Sequence, residues 1–162
     1  MKTNAIGLTF TLIITMLASL LVSNDAVLQS TEMMNRTNVG FASIVLALAS
    51  GAAAVLSLTM GASSALVGVM VAVALMPPAV TLGLTLGNGQ FDLAYGTFLL
   101  LATNVVCVNL AALAIFRLKG IKPRTWYEEK NAQKASRTNG LIWLGMLIIL
   151  AGLIWLRQAH LG

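Results

Sequence analysis

The chain has 162 residues, of which 58% are hydrophobic and only 9% are charged. Soluble domains contain about 45–50% apolar and about 25% charged residues, so this chain has too little charge to cover a water-facing surface. The composition excludes a soluble globule and predicts an all-α, polytopic transmembrane bundle that forms a single domain over residues 1–162.

Five apolar stretches are candidates for membrane-spanning helices, because each approaches the ~20 residues that a span needs. They cover about 5–23, 39–60, 62–86, 93–116 and 140–156. The first exceeds the ~7–15 residues of a signal-peptide core and lacks a following A-x-A-like site, so we expect it to be retained. The stretch 62–86 is long enough to cross, although a re-entrant path would satisfy the charge pattern equally well.

Positive charge is concentrated between the fourth and fifth stretches. Seven of the ten Lys and Arg residues lie there, namely Arg117, Lys119, Lys122, Arg124, Lys130, Lys134 and Arg137. The positive-inside rule predicts that residues 117–139 form a cytoplasmic loop of a multi-pass protein in the cell (inner) membrane. These charges lack a nucleic-acid-binding motif, so the lipid bilayer is the expected partner and nucleic acid is not.

Small residues recur at helical spacing in the second stretch. Close packing of small side chains drives helix association in lipid. The predicted packing seam, at steps of four and three, consists of Ser43, Ala47, Ser50, Ala54, Ser57 and Gly61. The first stretch has a shorter analogue at steps of four, Gly7, Thr11, Thr15 and Ser19. Such seams predict a homo-oligomer or a membrane partner as readily as packing within one bundle.

Two adjacent prolines interrupt the third stretch. Pro77 and Pro78 lack backbone N–H groups, so the carbonyls of Val73 and Ala74 lose their helical donors. Met76 precedes a proline and is biased away from helical geometry. We therefore expect the span to be broken by an end or a kink near Met76. Such interruptions build solute sites in transporters, whereas a kink repaired by neighbouring helices is the structural alternative.

Further polar groups accompany this predicted break. Ser63, Ser64 and Thr81 lie on the same stretch, and Asn104 lies on the next one. An amide within hydrocarbon needs a hydrogen-bonding partner. Asn104 is therefore either a contact between helices or part of a site for a cation or a neutral solute.

Several of these runs resemble the domain-of-unknown-function 389 family, a group of hydrophobic prokaryotic membrane proteins. The resemblance covers about residues 6–118 and rests on residues 47–54, 65–69 and 72–78, on Thr103-Asn104, and on Arg36-Thr37. Longer family members carry an additional N-terminal region and an earlier proline-containing segment. The resemblance implies a short form, or half of a repeated arrangement that a partner completes.

Residues typical of enzymes are sparse. His160, the only histidine, lies near the C-terminal end of the sequence, and Cys107 is the only cysteine. One chain therefore lacks the two histidines of an H-E-x-x-H zinc site, and we expect no Ser-His-Asp triad. We therefore expect no enzymatic activity, no metal and no cofactor. The leading hypothesis is a channel-like or transporter-like role at the proline segment. The alternative is a non-transporting scaffold or partner subunit that binds through the seams.

Overall fold

The computed structural model describes residues 2–22, 30–120 and 126–161. Within these ranges the chain is helical, with no β-strand. The helices are α1 (Lys2–Ala18), α2 (Thr31–Thr37), α3 (Phe41–Thr59), α4 (Ser64–Gly87), α5 (Phe91–Leu118) and α6 (Trp126–Leu161). The predicted all-α membrane bundle is therefore confirmed.

Four helices are long and apolar enough to cross a membrane. The qualifying segments are Phe41–Thr59, Ala65–Gly87, Phe91–Leu118 and Thr138–Ala159. They correspond to the second to fifth predicted stretches. The first stretch forms the shorter α1, whose 17 residues lie at the lower limit of the ~17–25 residues of spanning helices.

Helix α4 continues through the two prolines instead of ending near Met76. It contains 24 residues from Ser64 to Gly87, with Pro77 and Pro78 inside it. Of the two expected outcomes, an end or a kink near Met76, the end of the helix is therefore excluded, and the kink stays a prediction. Two prolines remove two hydrogen bonds, whereas ending a helix in hydrocarbon exposes a whole terminal turn of unpaired carbonyls and N–H groups. Continuing the helix leaves fewer polar groups unpaired.

The chain divides into two compact units. The first consists of Met1–Gly40 and Met70–Ala102. It contains α1, α2, most of α4 and the first part of α5. Its core cluster comprises Ala79, Leu82, Ala94 and Leu101, against which Leu8, Leu12 and Leu75 pack. The core of this unit therefore forms where α1, α4 and α5 meet.

The second unit consists of Phe41–Val69 and Thr103–Gly162. Helix α3 contacts α5 here: the Cys107 thiol lies 3.8 Å from the Ile44 carbonyl oxygen. Ile154 of α6 is fully buried. The unit thus combines α3, the end of α5 and the apolar part of α6.

The hydrophilic segment before the last span is helical over most of its length. Helix α6 runs for 36 residues from Trp126 to Leu161, so residues 126–139 are not a loop as predicted. The prediction followed polarity, but this segment is rich in Glu, Lys, Gln and Ala, which all favour helix. Residues 121–125 of the predicted loop lie outside the described ranges.

Candidate functional site

The proline segment lies in the first unit, within α4. Pro78 is fully buried, and Pro77 is half-buried. Val73, one turn earlier, is 68% exposed, and Met76 is 57% exposed. The segment therefore has one face in the protein core and another face that the described residues leave exposed.

Backbone chemistry distinguishes the two carbonyls that the prolines affect. Pro77 has no N–H group to donate to the Val73 carbonyl, the bond that an uninterrupted helix would make. Pro78 likewise cannot donate to Ala74. Ala74 makes a polar interaction within the described chain, so it is not an unpartnered group.

Threonines follow the prolines at helical spacing and bond to their own helix. The Thr81 hydroxyl donates to the Pro77 carbonyl at 3.0 Å, and the Thr85 hydroxyl donates to the Thr81 carbonyl at 2.8 Å. On α5, the Thr97 hydroxyl donates to the Leu93 carbonyl at 2.9 Å. All three threonines are buried. Their protons are already used, so only oxygen lone pairs remain for a further partner.

The other predicted site residues belong to the second unit. Ser63 immediately precedes α4, and its hydroxyl accepts a hydrogen bond from the Leu66 N–H at 3.3 Å. Ser63 therefore caps the helix, which is an ordinary role for serine at this position. Ser64 is the first residue of α4. Asn104 is half-buried on α5 and has a polar partner of its own. Whether these residues form one site with Pro77 stays a prediction.

The predicted seam on α3 is buried unevenly. Ala47 and Ala54 are buried, Ser43 and Ser57 are half-buried, and Ser50 is exposed. Gly61 lies beyond α3 in a turn with φ of +93°, a conformation that favours glycine. The buried face instead includes Gly51, where a Cβ atom would lie 3.0 Å from the Val108 Cα and 3.3 Å from the Ala111 Cβ. The sequence interpretation missed Gly51, although it lies four residues after Ala47.

Helices α1 and α4 pack closely at two glycines of α4, and the sequence analysis missed the α4 side of this contact. A Cβ atom at Gly83 would overlap the Thr15 hydroxyl and lie 2.7 Å from the Thr15 Cβ. A Cβ at Gly87 would overlap the Ser19 hydroxyl and lie 2.6 Å from the Ser19 Cβ. Gly83 and Gly87 therefore form a G-x-x-x-G contact against the analogue seam on α1. The shared four-residue spacing was the available signal.

No cluster of three or more His, Cys, Asp or Glu side chains suited to a metal occurs among the described residues. What the proline segment offers chemically is a set of oxygen acceptors: the two carbonyls of Val73 and Ala74, which lack their usual helical donors, and buried hydroxyls whose protons are engaged. Acceptors of this kind suit a cation or a neutral solute that donates hydrogen bonds.

Comparison with known proteins identifies two similarities. The family model described as "Domain of unknown function (DUF389)" matches residues 1–110. A Methanocaldococcus jannaschii protein, described only as uncharacterized, is 34% identical over 155 residues, which are 94% of this chain and 47% of that protein. The chain thus spans about half the length of this relative. No solved structure matches the chain.

Proposed function

This chain belongs to the DUF389 family, and from that premise we propose that it is a channel-like or transporter-like membrane protein. Its solute would be a small cation or a neutral molecule that donates hydrogen bonds. The site would lie on α4 around Pro77 and Pro78. The membrane would be the prokaryotic cell (inner) membrane, with the basic segment 117–139 on the cytoplasmic side.

One observation carries this proposal: a spanning helix contains, inside its length, a carbonyl deprived of its usual donor. Val73 is the tenth of the 24 residues of α4 and lies far from either end of the helix. An unsatisfied carbonyl at membrane depth costs several kcal/mol unless protein, water or an ion satisfies it. A solute that coordinates or donates to this oxygen would supply the missing interaction.

The exposed face beside this carbonyl is the reason to propose an assembly. Met70, Val73 and Met76 follow one another at helical spacing and are 43%, 68% and 57% exposed. A solute path along this face would need a second wall, which a second copy or a membrane partner would provide.

Flux through reconstituted vesicles tests the proposal. Purified protein would be incorporated into liposomes, and the passage of K⁺, Na⁺, urea and glycerol would be compared with protein-free liposomes. Pro77→Ala returns an N–H donor to the Val73 carbonyl, so we expect it to reduce the solute-specific flux at least about tenfold. Pro78→Ala acts on Ala74, which already has a partner, and we expect a smaller loss.

Val69→Ala is the matched control, since Val69 is 61% exposed on the same helix and lies outside the proline segment. It should retain the flux of the unmodified chain. Equal flux in Pro77→Ala and the unmodified protein, at equal incorporation, would refute the role of the proline segment.

A scaffold or partner subunit is the second candidate, and the exposure of Ser50 favours it. Ser50 belongs to the small-residue seam but is not covered within this chain. Small residues on a lipid-facing helix permit a second helix to approach closely. In this alternative the prolines only shape α4, and α3 binds another membrane protein.

Ser50→Leu tests the scaffold without disturbing the bundle, because this position is exposed. A membrane partner should co-purify in fixed stoichiometry with the unmodified chain and be lost from Ser50→Leu. Ala49→Leu, at the neighbouring exposed position outside the seam, is the control that should retain it. Self-association without a foreign partner would favour the transport proposal.

A further inference from the structure

A groove lies between the end of α5 and the membrane-spanning part of α6, within the second unit. Its volume is about 710 Å³, within the ~300–1,000 Å³ of small-molecule sites. Most of its lining is aliphatic, but one end carries an arginine. The lining residues are Leu110, Leu113, Ala114, Arg117, Gly140, Leu141 and Leu144.

Arg117 lies against the wall of this groove. A Cβ atom placed on Gly140 would be 3.2 Å from the Arg117 Nη1 and 3.6 Å from Nη2, so the guanidinium rests over the glycine. Arg117 is solvent-exposed and takes part in no ion pair among the described residues. Its guanidinium is exposed to solvent, where an anion can reach it.

Arg117 lies at the end of a helix that is long and apolar enough to span a membrane. It is the penultimate residue of α5, and Gly140 is the third residue of the spanning segment Thr138–Ala159. A cationic group at the ends of two spans, above an aliphatic groove, combines the two chemistries of a phospholipid. The phosphate would accept hydrogen bonds from the guanidinium, and one acyl chain would lie against the leucines.

The sequence before the groove extends the positive charge. Lys130, Lys134 and Arg137 precede Leu141 and Leu144 at steps of four and three, the repeat of one helix face. A basic stretch that continues into an apolar one along a single helix is typical of contact with an anionic membrane surface. Free phosphate would bind the guanidinium of Arg117 but would make no contact with the aliphatic part of the groove.

We propose that the groove between α5 and α6 binds an anionic phospholipid, with Arg117 holding the phosphate and Leu113 and Leu144 contacting an acyl chain. The site is independent of the solute path proposed above. It would make the stability of the protein depend on the headgroup charge of the surrounding lipid.

Native mass spectrometry of the full chain in detergent tests this, with phosphatidylglycerol, phosphatidylcholine and inorganic phosphate as separate probes. We expect retention of phosphatidylglycerol in preference to phosphatidylcholine, and a loss of affinity of about fivefold or more in Arg117→Gln. Lys119→Gln removes a neighbouring exposed charge outside the groove and should change the affinity less than about twofold. Leu144→Trp, which fills the groove while keeping Arg117, should also weaken retention.

Three results would overturn the proposal. Equal losses in Arg117→Gln and Lys119→Gln would show diffuse attraction rather than a site. Full retention in Leu144→Trp would show that the groove holds no acyl chain. Binding of inorganic phosphate at the same affinity as phosphatidylglycerol would make this an anion site and not a lipid site. Circular dichroism of each variant would establish that the helices remain intact.

Discussion

The two units pack their helices through glycine, but with different tolerance for a side chain. In the first unit, a Cβ atom on Gly83 would overlap the Thr15 hydroxyl and lie 3.2 Å from the Leu12 carbonyl oxygen. In the second unit, a Cβ on Gly51 would lie 3.0 Å from the Val108 Cα, a tight contact without overlap. The α1–α4 contact therefore leaves no room for a methyl group, whereas the α3–α5 contact nearly accommodates one.

The units also differ in how they satisfy buried hydroxyls. In the first unit, Thr15 donates to the Thr11 carbonyl at 2.8 Å, and Thr85 donates to the Thr81 carbonyl at the same distance. In the second unit, the fully buried Thr103 hydroxyl has no partner among the described residues. In the first unit the helices pack closely, and these buried hydroxyls make hydrogen bonds. In the second unit the helices pack less closely, and the Thr103 hydroxyl makes no hydrogen bond among the described residues.

The largest effect that this comparison predicts is that of Gly83→Ala. The added methyl group must displace Thr15 or separate α1 from α4, and overpacking of this kind costs about 1–3 kcal/mol in the free energy of unfolding. Thermal unfolding in detergent, followed by circular dichroism, would measure the loss. Thr15→Gly combined with Gly83→Ala removes the overlapping atoms and should recover part of the stability.

Gly68→Ala is the matched control on the same helix. A Cβ atom there would meet nothing within 4 Å, so replacing glycine should stabilise the helix by about 0.5–1 kcal/mol. If Gly83→Ala behaved like Gly68→Ala, the proposed difference in packing between the two units would be wrong.

The sequence anticipated the helices because hydropathy and length alone specify membrane-spanning segments. For Pro77 and Pro78 it left open an end or a kink of the helix. The proline rule describes one local hydrogen bond, whereas the outcome depends on how many polar groups each alternative leaves unpaired in hydrocarbon. Residues 126–139 were predicted to be a loop because the prediction used their polarity and not their helix propensity.

The candidate site was harder to predict than the fold. Thr81 could be chosen from its position after the prolines, but its bond to the Pro77 carbonyl depends on the helix continuing. Gly83 was not predicted to be a contact residue, because a single sequence does not state which helix lies opposite. Its role becomes visible only when Thr15 is placed across from it.

Gly51→Ala should have a smaller effect than Gly83→Ala. The added Cβ would contact the Val108 Cα, a backbone atom that moves less readily than a side chain. A shift of the two helices by a few tenths of an ångström nevertheless removes the close contact. We expect a net loss of about 1 kcal/mol or less, since the packing cost is offset by the better helix propensity of alanine. Chemical unfolding would measure this loss.

Gly145→Ala is the control in the same unit, because a Cβ atom there would meet nothing within 4 Å. A loss as large as that of Gly83→Ala would remove the contrast between the units.

The effects of replacing the two threonines should also be smaller than that of Gly83→Ala, and their signs should differ. Thr85→Val removes a hydroxyl that is bonded to its own helix and should lower the free energy of unfolding by about 0.5–1.5 kcal/mol. Thr103→Val, of nearly the same shape, removes a buried hydroxyl without a partner among the described residues, so its loss relieves a desolvation penalty. We expect Thr103→Val to be neutral or stabilising by about 1 kcal/mol in the same unfolding assay.

Destabilisation by both variants would mean that Thr103 gains a partner in the membrane, such as water or a second chain. The unsatisfied hydroxyl would then be a contact of the assembly and not a defect of the second unit.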